Sequence, residues 1–168
     1  RILKEVVEAC NSVFPEGRVG VRISPNGVFG SMGSEDNHEA FSYFLSELAG
    51  MNLAYVHVLD GLGFGFHKLC KEFTLADVRA VFPGVIMGNC GYERDSAEAA
   101  VASGDADMIS FGRLYMSNPD LPERLFNNWP MNATPLSNEL YYRYPGFPST
   151  DADKAGVGYT DQPFYSDA

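Results

Sequence analysis

Four short apolar segments alternate with helix-forming segments through the first 129 residues, and this alternation limits the fold more than any other feature. The strand-forming segments are VGVRIS at residues 19–24, LAYVHVLD at 53–60, VIMGNCG at 85–91 and ADMISFG at 106–112. Strands that are apolar along most of their length and alternate with helices usually pair in parallel and are covered on both faces. The pattern therefore predicts an α/β fold built on a parallel sheet.

A helical spacing of apolar residues follows each predicted strand. Helices are predicted over residues 38–51, 74–82 and 95–104, with two short helices over 114–118 and 121–128. Asn37 and Thr74 are the predicted N-caps of the first two, because their short polar side chains can accept a backbone N–H. Beyond residue 129 the chain is rich in Pro, Gly, Tyr and Asp, with little periodicity. We therefore divide the chain into four βα units at 1–129 and an irregular C-terminal cap segment at 130–168.

Two architectures accommodate these units: a small doubly wound sheet, or part of a (β/α)8 barrel. The segment RISPNGVFG after the first strand lacks the GxGxxG spacing of dinucleotide-binding sheets. Polar residues cluster instead at the ends of all four predicted strands, where barrel enzymes keep their active sites. A complete barrel needs about 250 residues, and this chain has 168. The sequence therefore favours half of a TIM barrel.

Charge and cysteine content argue against several functions. A net charge of −10 disfavours binding to nucleic acid or to an anionic membrane surface, and no apolar run is long enough to span a bilayer. The three cysteines lack CxxC spacing and do not combine with the three histidines at metal-ligand spacings. We therefore predict reduced thiols, a cytoplasmic location and no metal site.

The dipeptide Gly112-Arg113 follows the fourth predicted strand and precedes a short helix. Barrels often bind a phosphate group with the loops after the last two strands and the N-terminus of a short helix. Glycine lets the backbone approach a ligand closely, and arginine can donate two hydrogen bonds to one anion. The loop GNCGY at residues 88–92 would be the other part of this phosphate site. The alternative for Arg113 is an ion pair, with Asp107, Asp120 and Glu123 as candidate partners.

Two polar side chains lie inside otherwise apolar strands. Arg22 faces the barrel axis if Val19 and Val21 face the helices, and a buried charge there would need a partner. Two interpretations of Arg22 stay open: contact with an anionic or electron-rich ligand, or a buried ion pair. His57 has the same inward position, and a hydrogen-bonded core role is favoured for it.

Loop and tail residues are further candidates. Phe64, Phe66 and His67 follow the second strand, where a barrel could place a substrate wall or only an ordinary packed loop. Tyr159 and Asp161 in the segment GVGYTDQPFY could reach over the barrel mouth, or its aromatic residues could only pin the C-terminal segment.

Together these segments resemble the Old Yellow Enzyme family of flavin-dependent ene-reductases, which includes the plant 12-oxophytodienoate reductases and the parasite prostaglandin F synthases. The resemblance is carried by GDADMISFGRLYMSNPDLPERL at residues 104–125, VGVRISPNGVF at 19–29, LAYVHVLD at 53–60 and GYTDQPF at 158–164. It implies an FMN-containing (β/α)8 barrel, of which this chain is similar to strands five to eight, the C-terminal half.

The resemblance also implies roles for individual residues. The implied cofactor-binding residues are Arg22, Asn89, Cys90, Gly91, Gly112 and Arg113. Arg22 matches an arginine beside the flavin N1 and O2 atoms, where a fixed cation stabilises developing negative charge. The other five match the segments that hold the FMN phosphate, although many relatives have Gly-Gly where this chain has Cys90-Gly91. Tyr159 matches a tail aromatic residue near the substrate.

The implied reaction uses NADPH or NADH to reduce the flavin, which then reduces the C=C bond of an α,β-unsaturated carbonyl. The tyrosine that donates a proton and the pair that binds the carbonyl lie on strand four in the family, so no catalytic residue is expected in this chain. The expected partner is the missing N-terminal half-barrel or a second copy, because half a barrel leaves two sheet edges unpaired.

We therefore predict an FMN-dependent NAD(P)H ene-reductase whose isolated C-terminal half is inactive. The alternative is a non-catalytic half-barrel that binds flavin, phosphate or a partner chain. A Schiff-base aldolase is disfavoured, because none of the predicted strands ends in a lysine.

Overall fold

The computed structural model of the chain describes residues 1–133 and 161–166. Contacts divide the chain into two compact units, Arg1–Ser110 and Phe111–Ala168. The proposed division of the chain at residue 129 stays a prediction.

The first unit contains a four-stranded sheet and the helices that cover it. Its strands are β1 (Gly20–Ile23), β2 (Tyr55–Leu59), β3 (Ile86–Asn89) and β4 (Met108–Ser110). Its helices are α1 (Ile2–Val13), α2 (Asn37–Leu48), α3 (Leu75–Val81) and α4 (Arg94–Ala102), with a short 3-10 turn at Phe29–Ser31. The second unit contains α5 (Arg113–Ser117) and α6 (Leu121–Asn127). The predicted strands and helices are present, with ends that differ by a few residues.

The strands of the first unit are parallel and lie in their sequence order, β1-β2-β3-β4. In a doubly wound sheet the strand order reverses at a switch point, whereas in a barrel each βα unit lies beside the preceding one. The observed order is therefore that of consecutive barrel units.

The two faces of the sheet differ in burial. Val56, Val58 and Ile86 point towards the helices and are 0% exposed, and they belong to the main apolar cluster of the unit. Their strand neighbours on the other face, such as His57 and Met87, are only partly buried. The expectation that both faces would be covered is wrong for the described residues. The physical reason is that this face is covered in a closed barrel by side chains from all eight strands, and the described sheet has four.

One of the two predicted helix caps is confirmed and the other is wrong. The Thr74 side chain accepts the backbone N–H of Asp77, and the Asp77 carboxylate accepts the backbone N–H of Thr74, which together form a capping box for α3. Asn37 is instead the first residue of α2, and Asp36 is the cap position. The Asn37 amide donates to the carbonyl oxygen of Pro25 at 3.0 Å, so it holds the loop after β1.

The capping box makes part of the stability of the protein dependent on pH. Burial alone would raise the pKa of Asp77, but hydrogen bonds from Thr74 and Lys71 lower it from 3.8 to about 2. A carboxyl group with a depressed pKa in the folded state stabilises the protein above its unfolded pKa and stops doing so as the pH falls through its folded pKa. The contribution of Asp77 should therefore be lost between about pH 4 and pH 2.

Asp77→Asn is expected to lower the free energy of unfolding at pH 7 by about 1 kcal/mol, because it removes the charged member of the cap. Urea unfolding followed by circular dichroism at pH 7 and pH 2.5 measures this loss, and the difference from wild type should shrink at the lower pH. Asp95→Asn is the matched control, since the side chain of Asp95 is 91% exposed. An equal difference at both pH values would contradict the assignment.

A buried asparagine connects three loops of the first unit. Asn26 is 2% exposed, and its amide group donates to the carbonyl oxygens of Asp60 at 3.1 Å and Phe73 at 2.9 Å. Its side-chain oxygen accepts the backbone N–H of Phe73 at 2.9 Å. The loop after β1 is therefore joined to the end of β2 and to the segment before α3.

The second unit has a buried ion pair at its centre. Arg124 of α6 is 2% exposed and lies 2.6 Å from the carboxylate of Asp120. The guanidinium also donates to the carbonyl oxygens of Pro130 at 2.6 Å and Pro163 at 3.1 Å, and Asp120 accepts the backbone N–H of Tyr165 at 2.7 Å. Both members of the pair therefore hold the segment 161–166 beside α6, Arg124 as a hydrogen-bond donor and Asp120 as an acceptor.

Three further observations concern the predictions about thiols, membrane spans and metal sites. Cys10, Cys70 and Cys90 are all free thiols. Among the described residues, no helix is long and apolar enough to cross a membrane. Within residues 1–133 and 161–166, no group of three or more His, Cys, Asp or Glu side chains could hold a metal ion. A cytoplasmic location stays a prediction.

Candidate functional site

Four polar side chains meet on the inner face of the sheet, the face that points away from the helices. Arg22 of β1 is in register with His57 of β2, and Asn89 of β3 is in register with Ser110 of β4. Because side chains alternate along each strand, the register brings all four to one face near the carboxyl ends of the strands. Arg22 and Asn89 were predicted site residues, and they are now seen to be hydrogen-bonded to each other.

The guanidinium of Arg22 is held by neutral partners. Its Nη2 donates to the Asn89 side-chain oxygen at 3.2 Å, and its Nη1 lies 3.3 Å from both ring nitrogens of His57. No carboxylate of the described residues lies within ion-pair distance of it, and the residue is exposed. The alternative of a buried ion pair for Arg22 is therefore not supported within this part of the chain.

His57 and Ser110 complete the network. Ser110 Oγ lies 2.9 Å from His57 Nε2, and it accepts a hydrogen bond from the Asn89 amide at 2.9 Å. Burial and the nearby charge of Arg22 lower the pKa of His57 below 6.5, so the ring is neutral at neutral pH. Ser110 Oγ can accept a hydrogen bond from His57 when Nε2 carries the ring proton, and Arg22 Nη1 lies equally close to both ring nitrogens. His57 therefore supports Arg22 rather than only filling the core.

The sequence analysis did not single out Ser110. Its signal is weak, because one serine in a three-residue strand has no periodicity of its own. The detectable feature is its position, two residues before Gly112 and directly opposite Asn89 in the register of β3 and β4.

The 89–91 loop, which begins at the last residue of β3, has an unusual backbone. Cys90 and Gly91 have φ angles of 84° and 78°, in the left-handed region that glycine favours. Outside the strand ladder, no backbone carbonyl of the described residues accepts the N–H groups of Cys90 or Gly91. Two successive N–H groups in a tight turn are a common arrangement for binding an anion. The positive φ at Cys90 explains why glycine would be suited to this position.

Apolar side chains surround the carboxyl ends of β1 and β2. The loops after these strands contact each other, since His67 Nε2 lies 3.1 Å from the carbonyl oxygen of Pro25. Phe29 is 87% exposed and Phe64 is 51% exposed. Further exposed apolar residues of the two loops are Val28, Met32, Leu62 and Leu69. These loops form an apolar rim beside the inner polar network.

The predicted residues Gly112 and Arg113 belong to the second unit. Gly112 is the N-cap residue of α5, and its carbonyl oxygen accepts the backbone N–H groups of Tyr115 and Met116. Two of the carboxylates considered as partners of Arg113 have other partners. Asp107 pairs with Arg79 at 2.7 Å, and Asp120 pairs with Arg124 at 2.6 Å. Tyr159 lies outside the described residues.

Comparison with known sequences identifies the class of protein. The profile of the NADH:flavin oxidoreductase / NADH oxidase family matches residues 1–132. The chain belongs to this family, which confirms the resemblance drawn from its motifs. FMN and a nicotinamide reductant are the cofactors of the family, as predicted.

Individual members of the family are similar to this chain over nearly its whole length. The chain is 29% identical over 164 residues to a 12-oxophytodienoate reductase-like protein of Solanum lycopersicum, with 98% of this chain and 41% of that protein covered. The old yellow enzyme homologue from Zymomonas mobilis matches with a TM-score of 0.78 and 28% identity, over 98% of this chain and 43% of that one. The old yellow enzyme from Trypanosoma cruzi matches with a TM-score of 0.78 and 26% identity, over 98% of this chain and 40% of that one.

The chain therefore spans about two-fifths of the length of these proteins. Together with the strand order, this coverage confirms the fold prediction. The parallel sheet and its helices match part of the TIM barrel of the Old Yellow Enzymes.

Proposed function

We propose that this chain contributes part of the FMN site of an enzyme that uses NAD(P)H to reduce the C=C bond of α,β-unsaturated carbonyls. The observation that carries the proposal is the position of Arg22. An exposed guanidinium is held by the neutral side chains of His57 and Asn89 on the inner face of the sheet, so its charge is available to a ligand. A fixed positive charge near the ring is one way in which a protein tunes the electronics of a bound flavin.

The chain's own residues suit FMN in two respects. Arg22 would place a fixed positive charge at the pyrimidine edge of the ring, near N1 and O2, and stabilise negative charge that develops there. The N–H groups of Cys90 and Gly91 would donate to the phosphate. Bound flavin would supply the transfer of hydride from the nicotinamide to the substrate. For Gly112 and Arg113, a phosphate-binding role rests on the resemblance alone.

The apolar rim supports a substrate with substantial apolar surface. Exposed Phe29 and Phe64 follow the ends of β1 and β2, and exposed aromatic side chains are suited to pack against a flat conjugated carbonyl compound. The name of the tomato relative, a 12-oxophytodienoate reductase-like protein, favours the same substrate class. Tyr159 stays a predicted substrate contact.

The proton donor and the carbonyl-binding pair are expected on strand four of the barrel, outside the part that this chain resembles. We therefore propose that the 168-residue chain alone does not turn over substrate. Within the described sheet, β1 and β4 each pair with one neighbour, so the N-terminal half-barrel or a second copy would be needed to complete the barrel.

The proposal predicts that Arg22→Ala weakens FMN binding by about 10- to 100-fold, because a hydrogen bond to a charged group contributes about 1.5–3 kcal/mol. Quenching of FMN fluorescence by the purified chain measures this change. Arg18→Ala is the matched control, because Arg18 is exposed and precedes β1. Equal FMN affinity in the Arg22 and Arg18 variants would reject the assigned contact.

The alternative is a half-barrel that binds flavin or a partner chain without catalysis. The partly exposed inner face of the sheet favours this alternative. NADPH consumption with 2-cyclohexenone, measured on the full-length barrel, distinguishes the ene-reductase from the non-catalytic alternative. Turnover supports the ene-reductase, whereas bound flavin without turnover supports the alternative.

A further inference from the structure

Both ends of the 89–91 loop are attached to one carboxylate. Asp60, directly after β2, accepts the backbone N–H of Asn89 at 3.2 Å. It also accepts a hydrogen bond from the hydroxyl of Tyr92. Asn89 is the first residue of the loop and Tyr92 directly follows it, so Asp60 fixes the distance across which the chain turns.

The backbone beside Asp60 packs against the same loop. Gly61 N–H donates to the carbonyl oxygen of Asn89 at 3.2 Å. A Cβ atom at Gly61 would lie 1.5 Å from the carbonyl oxygen of Cys90, so only glycine allows this approach. A Cβ atom at Gly63 would lie 3.1 Å from Cys90 Sγ. The loop therefore packs on residues 60–63, which restrict the conformations that its backbone can adopt.

The protonation states of the pair are consistent with a fixed hydrogen bond. Burial raises the pKa of Asp60, and the hydrogen bonds from Tyr92, Asn89 and Gly61 partly offset that effect. Burial and the adjacent Asp60 carboxyl raise the pKa of Tyr92, so its hydroxyl stays protonated and acts as the donor. A carboxylate beneath an anion site would repel the anion, and the donors from Asn89 and Tyr92 reduce that repulsion by binding the carboxylate oxygens.

We propose that Asp60 and Tyr92 are positioning residues that hold the 89–91 loop in the conformation that binds the FMN phosphate. The inference rests on the proposed function for the identity of the ligand. The positioning itself rests on contacts within the first unit. Tyr92 would act on the phosphate only through the loop, so removal of its hydroxyl should affect recognition of the phosphate rather than of the flavin ring.

The test compares FMN with riboflavin, which has the same ring and no phosphate. Tyr92→Phe keeps the ring that packs against the core and removes the hydroxyl. It should weaken FMN binding about tenfold, while riboflavin binding changes less than about twofold. Tyr43→Phe is the matched control, since Tyr43 lies on α2 and is 59% exposed. Asp60→Asn is a second variant with the same expected pattern.

Cys90 provides a readout that needs no flavin. In a Cys10→Ser, Cys70→Ser background it is the only remaining thiol, and it is 9% exposed. If Tyr92 holds the loop closed, Tyr92→Phe should raise the rate at which a thiol reagent modifies Cys90 by about tenfold, because local opening becomes easier.

The outcomes separate the two proposals. A loss of FMN affinity with riboflavin affinity retained, together with faster Cys90 modification, supports the positioning role. Equal losses for both ligands, or an unchanged Cys90 rate, overturn it. If the wild-type chain binds neither ligand, the proposed function fails and the phosphate role fails with it, while the Cys90 rates still decide whether Tyr92 holds the loop.

Discussion

Replacing Asn26 by aspartate is expected to lower the free energy of unfolding of the first unit by about 3–5 kcal/mol. The wild-type amide donates to the carbonyl oxygens of Asp60 and Phe73 in a site that is 2% exposed. Aspartate has nearly the same shape but no donor, so it would direct a carboxylate at two buried carbonyl oxygens. Urea unfolding followed by far-UV circular dichroism measures the loss.

The pH dependence of this variant provides an internal check. Burial would raise the pKa of the introduced carboxyl group. Its destabilising effect should therefore be full at neutral pH and should shrink as the pH falls and the group becomes protonated. Asn127→Asp applies the same change at an exposed position of α6 and should cost less than about 1 kcal/mol. Similar losses in the two variants would show that Asn26 does not connect the loops.

Replacing Arg124 by methionine is expected to destabilise the second unit by about 3–5 kcal/mol, because it leaves the buried Asp120 carboxylate without its cation. The variant also removes the donors to the carbonyl oxygens of Pro130 and Pro163. Trp129, the one tryptophan of the chain, stacks on Tyr165 with ring centroids 4.4 Å apart. Release of segment 161–166 should therefore change the tryptophan emission before the first unit unfolds.

An exposed ion-pair variant and a double variant serve as controls for Arg124→Met. Arg94→Met removes an exposed ion pair with Asp95 and should change stability by about 1 kcal/mol or less. In the double variant Arg124→Met, Asp120→Asn, the loss should be smaller than the sum of the single losses, because no unpaired charge is left behind. A strictly additive double variant would show that the two side chains do not depend on each other.

The fold could be predicted from the sequence because its signals are local. Each strand lies in a mostly apolar segment of the sequence, and Thr74 is a capping residue that could be recognised directly before α3. Asn37 was misassigned because its side chain makes a tertiary contact with Pro25, which no local pattern reveals. The partial exposure of the inner face was missed for a different reason, since burial there depends on barrel strands beyond the four of the described sheet.

The site could be predicted only in part. Arg22 was recognisable as a charge in an apolar strand, and its family role stays a prediction. Ser110, Asp60 and Tyr92 gave no comparable signal, because their importance arises from register and loop packing. The contact of Asp60 with Asn89 joins positions 29 residues apart in sequence, and such a contact follows only from the alignment of β2 and β3.

The location of the apolar core has a consequence for assembly. Val56, Val58 and Ile86 are sealed between the sheet and its own helices, not on the central axis of the barrel. Burial of these side chains therefore does not require the opposite strands of the barrel. Two separately synthesised halves should consequently be able to reconstitute a closed barrel by joining preformed sheets at their edges, as in fragment complementation.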